Sequence, residues 1–384
     1  MKLPPMAQHQ PGTRPETRLT TAPPPGPIRP HPQTAARSRH AFRTRLAGWL
    51  SCSLLITLLG TASDAPLSQL MDRELTCPVC RQAFVDVACI NANTRGGIDR
   101  DLFARSLGPQ PEYYRIATCP RCGYSGYDSD FAEDVFIPPD MRDRVLRSPR
   151  LSLPEGFSPE SDPRDLDAAD RYALALTCYR WRQQSDEAIA WLHLRASWIE
   201  RDKGAVLPHD PRLARVMGYL ERWRPPLRPG GNQADVEMQL ATRTAEALAT
   251  GHFNRYQRPY VQLALALILR GRGENRQAAP LLTDLVQDSL LPAQLSESIE
   301  RMRASILLEA KQQRAAADHL ERALLINQIN AANTPSAWYL LGELFRRLGR
   351  DFEAIPAYQR ALDAPELPPD LRDWARQQQA WCRK

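Results

Sequence analysis

The spacing of hydrophobic positions changes several times along this chain, and each change marks a boundary. Residues 46–59, LAGWLSCSLLITLL, are apolar almost without a break. From Leu75 to Cys89 the run LTCPVCRQAFVDVAC alternates apolar and polar positions after its first cysteine pair, the period of a strand with one buried face. Ile116-Ala117-Thr118 leads into a second cysteine pair in the same way. Residues 138–166 carry several Pro and charged residues (PPDMRDR, SLPEGFSPESDPRD), follow no period, and read as a linker. After Leu166 the pattern is helical throughout, which makes 167–384 a helical-repeat region and 74–137 a small module of strands and turns.

Within the helical region the clearest stretch is AWYLLGELFRRLGRDFEAIPAYQRALDAP. Its Trp338, Leu341, Gly342, Phe345, Gly349, Ala354, Tyr358 and Ala361 occupy the large and small positions of a tetratricopeptide repeat, which this stretch resembles. Small residues there let two antiparallel helices approach, and large ones fill the space between hairpins. The same frame falls on Ala304, Leu307, Ala316, Leu320 and Ala323, and 38 residues earlier on Ala266, Leu269, Ala278 and Leu282. A poorer frame, Tyr172, Tyr179, Ala188 and Leu192, is set apart by RWRPPLRPGGN at 222–232. Ala and Leu are common in any helix, so the upstream frames also fit ordinary hairpins. A solenoid of such hairpins presents a concave groove to a peptide or a partner helix. Arg346, Arg347 and Arg350 read as a solvated helix face, with a carboxylate clamp as the sharper alternative.

Composition adds a leader to this picture. Residues 1–40 are rich in Pro and poor in aliphatic residues, too apolar-poor to offset the entropy of ordering, and are expected to be disordered. Residues 41–63 join Arg43 and Arg45 to the short apolar run and to Gly60-Thr61-Ala62-Ser63, the three-part pattern of a signal peptide. The run is shorter than the roughly 20 residues that span a bilayer, which favours a cleaved signal over an anchor, with membrane association through 46–62 as the variant. The expected location is therefore exported, periplasmic or membrane-associated. A mis-assigned start upstream of Met71 would instead leave a cytoplasmic protein. Cys52, inside the run, reads as an apolar filler.

The leader also carries the charge. The chain holds 50 Lys and Arg against 44 Asp and Glu, but eight of those bases and one of those acids precede residue 64. The remaining 42 bases and 43 acids give a net charge of −1, which removes the electrostatic argument for generic nucleic-acid binding.

The strongest chemical signal is the pair of turns Cys77-Pro-Val-Cys80 and Cys119-Pro-Arg-Cys122. Proline fixes the backbone dihedral of each turn, both thiolates point to one side, and two facing turns supply the four sulfur ligands of tetrahedral Zn2+. The expected metal ligands are Cys77, Cys80, Cys119 and Cys122. The 38 intervening residues exceed the separation in a compact zinc ribbon, so an insertion or a larger hairpin must lie between the turns. In an oxidising compartment the same pairs would form disulfides, which keeps thiol-disulfide exchange open. Cys89 reads as a strand residue. Asp99, Asp101, Asp128, Asp130, Glu133 and Asp134 read as solvated loop acids, with acid-base catalysis or a hard-metal site as the alternative. Tyr113, Tyr114, Tyr124 and Tyr127 read as packing around the metal, and Cys178, Cys382, His193, His209 and His252 as isolated.

These residues carry a resemblance. CPVCxxxF at Cys77 to Phe84, IDRDL, and QPEYYRIATCPRCGYSGYDSDF at Gln110 to Phe131 resemble the bacterial family called domain of unknown function 2225, over about residues 74–137 and more weakly beyond. The resemblance implies that the four cysteines bind metal and that a helical-repeat part follows. It implies no activity. The long leader departs from the family's common form, as does Arg81, which stands where a Gly often follows the first turn.

The expected fold class is mostly α: a small α+β zinc-ribbon-like module followed by a tetratricopeptide-like solenoid. The expected function is a non-enzymatic interaction or scaffold protein with a structural zinc module and a protein or peptide partner in the helical groove. Thiol-disulfide exchange and a cytosolic nucleic-acid binder are the alternatives.

Overall fold

The computed structural model describes residues 67–148, 151–158, 160–203 and 207–384. The leader, with the expected signal or anchor at 41–63 and Cys52, lies outside them. Among the described residues no helix is long and apolar enough to cross a membrane.

Strand alternation after the first cysteine pair becomes β2 (Ala83–Asn91), which pairs antiparallel with β1 (Gln69–Thr76), a strand that lies mostly before that run; Arg73 faces Asp86 and Leu75 faces Phe84. A shorter hairpin, β3 (Ala117–Thr118) and β4 (Ser125–Gly126), holds the second cysteine turn. Helix α1 (Pro139–Arg147) falls within the stretch read as a linker and lays Met141 and Val145 into the core beside the cysteines.

Ten more helices follow among the described residues. They are α2 (Ala168–Trp181), α3 (Asp186–Lys203), α4 (Pro211–Glu221), α5 (Gln233–Ala249), α6 (Arg258–Gly271), α7 (Asn275–Val286), α8 (Ala293–Leu325), α9 (Thr334–Arg347), α10 (Asp351–Asp363) and α11 (Pro369–Cys382). Local chemistry sets several starts. Asp167, Asp210 and Asn232 accept the first free N–H groups of α2, α4 and α5, and Pro occupies the first turn of α4, α6, α9 and α11. A small α+β module followed by helices is thus the architecture, as the sequence pattern predicts.

The expected frames meet different fates. Tyr172 to Leu192 spans the hairpin α2/α3, Ala266 to Leu282 spans α6/α7, and Trp338 to Ala361 spans α9/α10. In the last, a Cβ at Gly342 would stand 2.8 Å from the Tyr358 ring, so the small residue is what admits the large one. The frame Ala304 to Ala323 is not a hairpin. It lies inside the uninterrupted 33-residue α8, where Leu307 is left exposed.

Helix α8 serves two cores. Its first half, with Ile299 and Met302, packs with α4 to α7, and its second half, with Ala316 and Leu320, packs with α3 and α9 to α11. A third core is shared between the cysteine hairpins and α2, joining Cys77, Phe84, Tyr124 and Met141 to Leu174 and Cys178. The cysteine module therefore does not close a core by itself. The described residues all belong to one compact unit.

Charged residues reinforce that union. The loop GGIDRD puts Asp99 and Asp101 against the helices with no exposed side-chain surface. Arg201 of α3, itself fully buried, donates to Asp99 at 3.1 Å and to Glu309 of α8 at 2.9 Å, and pairs with Asp101. Arg272 donates to Asp99 at 2.8 Å, Arg347 approaches Asp101 at 3.5 Å, and the Trp198 indole N–H donates to Asp101 at 3.0 Å. A second node adjoins: Glu343 accepts from Arg346 at 2.6 Å, Arg347 at 2.8 Å and Tyr358 at 2.8 Å. Gly273, at φ +73°, makes room for this, since a Cβ there would lie 2.6 Å from the guanidinium carbon of Arg201. The solvated readings of Asp99, Asp101, Arg346 and Arg347 are thereby corrected, because each charge is desolvated and paired. Burial alone would push the Asp101 carboxyl up, but Arg201 and Arg347 outweigh it and hold the group low.

Candidate metal centre

Each cysteine turn repeats one hydrogen-bond pattern. In the first, Arg81 N–H donates to the Cys77 carbonyl at 2.9 Å and Cys77 N–H to the Gln82 carbonyl at 2.9 Å. In the second, Gly123 N–H donates to Cys119 at 3.0 Å and Cys119 N–H to Tyr124 at 2.9 Å. The residue after the second cysteine must enter the left-handed region, and does so in both turns: φ is +62° at Arg81 and +71° at Gly123. Glycine takes that conformation without a Cβ penalty and Arg does not, which is the physical content of Arg81 as a departure from the expected pattern. Gly123 meets a second demand, because a Cβ there would fall 2.5 Å from the Leu151 carbonyl oxygen.

The two turns face each other and bring all four sulfurs within 4.8 Å of one another. Four sulfurs each about 2.3 Å from a tetrahedral zinc ion lie about 3.8 Å apart, so the thiols present fit a four-sulfur metal site. All four are free thiols. Two contacts run between the turns: Cys77 to Cys122 at 3.6 Å and Cys80 to Cys119 at 3.5 Å. Crowding splits the thiols electrostatically. Neighbouring thiols, Cys119 first, lower Cys80, and Cys122 above all lowers Cys119, whereas hydrogen bonding to Cys119 raises Cys77 and Cys122. Cys77 and Cys119 are buried, while Cys80 and Cys122 are partly exposed.

An apolar wall stands behind the sulfurs. Phe131 meets Phe84 and Tyr124 edge to face at 5.7 and 5.3 Å. Cys178 of α2 belongs to this wall: it is fully buried, accepts from Ser125 N–H at 3.5 Å, and burial pushes its thiol up to about 12. It stands outside the four-thiol cluster, as do Cys89, half-buried on β2, and Cys382 on α11. In the sequence Cys178 stands isolated, and only the docking of α2 against β4 places it here.

Among the described residues the other acids join no candidate metal cluster. Asp130 accepts from Tyr127 N–H at 2.8 Å and the Tyr179 hydroxyl at 2.6 Å and pairs with Arg182, tying the second turn to α2. Glu133 and Asp134 are exposed, and Asp128 pairs with Arg73. Tyr127 packs edge to face on Tyr179 at 6.1 Å. Sequence reading also left His193 alone, yet it stacks on His319 at 5.7 Å, receives a hydrogen bond from Arg180 and bonds Gln312 at 2.6 Å.

Residues 70–243 match the bacterial family described as Uncharacterized protein conserved in bacteria (DUF2225). No curated protein matches the chain. No solved structure matches it either. The matched span holds both cysteine turns, the GGIDRD loop and Arg201 and ends within α5, so the similarity covers the four-thiol cluster and the first buried charge pairs but stops before α6.

Proposed function

We propose that this chain is a non-enzymatic interaction or scaffold protein, closed by a structural Zn2+ on Cys77, Cys80, Cys119 and Cys122, whose helices receive a protein or peptide partner. The observation that carries the reading is the cluster of four free thiols within 4.8 Å of one another, two supplied by each turn. A zinc ion with four sulfur ligands keeps no open position for substrate, so the metal would contribute folding energy and no reaction. For the helical part, Gly342 against Tyr358 supports a tetratricopeptide-like hairpin at α9/α10. The leader motivates an exported or membrane-associated location.

Two assays on the full chain test this. Insulin disulfide reduction should proceed no faster with the protein than without it, and catalysed reduction would move thiol exchange to the front. Reversible crosslinking in the native compartment, mapped by mass spectrometry, should place a discrete partner on α2 to α11. Crosslinks confined to copies of the chain itself would contradict the partner reading.

A further inference from the structure

A cleft of about 520 Å3 opens beside the thiol cluster, over its two partly exposed members, Cys80 and Cys122. Val145 and Leu151 form its apolar floor, and Arg121 and Arg142 stand on its rim. Among the described residues many guanidinium groups are engaged by carboxylates, including Arg73, Arg171, Arg182 and Arg201. Arg121 and Arg142 have no ion-pair partner among the described residues. Both are exposed, one supplied by the second cysteine turn and the other by α1.

We infer that this cleft binds an acidic peptide segment of a partner protein, an apolar side chain seated on Val145 and Leu151 and a carboxylate held by Arg121 and Arg142. Guanidinium groups bind carboxylates through paired, charge-assisted hydrogen bonds, and the apolar floor rewards a neighbouring aliphatic residue. A polyanion such as nucleic acid fits less well, because two arginines over a floor of aliphatic side chains give few phosphate contacts and residues 64–384 carry a net charge of −1. The inference rests on the interaction reading above and names one surface for it.

A competing role for the arginines is to offset the negative charge of a zinc ion with four thiolates, and the test separates the two. Fluorescence anisotropy of the zinc-loaded full chain would use a labelled peptide of alternating Asp and Leu and its Asn and Leu isostere, with zinc measured on the same samples. The acidic peptide should bind and the isostere should not. Arg121→Ala/Arg142→Ala should weaken binding about tenfold or more, the scale of losing a charge-assisted contact, with zinc content unchanged. Arg121→Lys/Arg142→Lys should retain part of the affinity. Equal binding of the two peptides, no binding by a zinc-loaded chain, or a double Ala variant that loses zinc while binding the peptide as before would each overturn the inference. Absence of zinc from the wild-type chain would instead count against the metal reading.

Discussion

The four sulfurs of the candidate metal centre come from two short turns, whereas the buried charges between the GGIDRD loop and the helices come from α3, the α6/α7 turn, α8 and α9, spanning residues 99 to 347. Both join the amino-terminal module to the helices, the ion network with no exposed carboxylate and the thiol cluster partly open through Cys80 and Cys122. They differ in how completely each unit is specified. A Cys-Pro-x-Cys turn brings its own geometry, and it needs only to meet a second one. Arg201 has a satisfied environment only when Asp99, Asp101 and Glu309 arrive from separate elements. Metal centres of this kind are thus built from local units, while the ion network depends on the finished fold.

Breaking the first centre should have the largest effect. Apparent binding energies of structural zinc are on the order of 10–16 kcal/mol, and they are folding energy where no site preforms. Cys119→Ser should therefore lose metal and expose the two hairpins. Because Leu174 and Cys178 share that core, hydrogen exchange should rise in α2 as well, with α9 to α11 still protected. Unchanged exchange in α2 would show that the module is independent after all.

The second centre answers next. Arg201→Met removes the cation from three fully buried carboxylates, and breaking a buried pair costs about 3–5 kcal/mol. Urea unfolding of the zinc-loaded chain should shift by that amount with zinc content retained, which distinguishes the two centres. A shift below 1 kcal/mol would mean that solvent already reaches the network.

Acid sharpens the comparison through His193. Burial lowers its pKa to about 4 from the ordinary 6.5, so the unfolded chain binds more protons between those values and stability falls as the pH drops through that window. The contribution is roughly 3 kcal/mol and should disappear from the pH profile of His193→Gln. Glu343 acts lower: burial opposes ionisation, but Arg346 and Arg347 hold it at about 2, so its stabilisation is present above the usual carboxylate range and lost as the pH falls toward 2. An identical profile for His193→Gln between pH 6.5 and 4 would contradict the assignment.

The smallest effect lies in the turns themselves. Arg81→Gly relieves a left-handed backbone at some cost in unfolded-state entropy and should raise the melting temperature slightly, by about 1 kcal/mol of stability or less. Gly123→Ala should lower it, since the added Cβ meets the Leu151 carbonyl. Equal responses at the two positions would refute the equivalence of the turns.

How much of this was legible in the sequence follows the same division. The alternation of β2 and the cysteine turns are local patterns and stand where the sequence predicts, whereas helical structure begins before Leu166, with α1 in the Pro-rich stretch that reads as a linker. The 38-residue offset misled at Ala304 to Ala323, because Ala and Leu recur at helical spacing along one straight helix as readily as across a hairpin. A signal against the hairpin was present: no Gly or Pro lies between Leu307 and Ala316, whereas Gly271 and Gly273 punctuate α6/α7 and Gly349 punctuates α9/α10. For Asp99, Asp101, Arg346 and Arg347 no such signal exists. A charge in a loop or on a helix looks solvated until the fold brings its partner, and Arg201 lies 100 residues from Asp101.

The central claim is that the four thiols hold a structural zinc ion. Elemental analysis of protein from its native compartment, paired with thiol counting before and after chelation, tests it most directly. The account predicts about one zinc per chain, with Cys77, Cys80, Cys119 and Cys122 unreactive until the metal is stripped. No metal together with two disulfides among those four residues would contradict it.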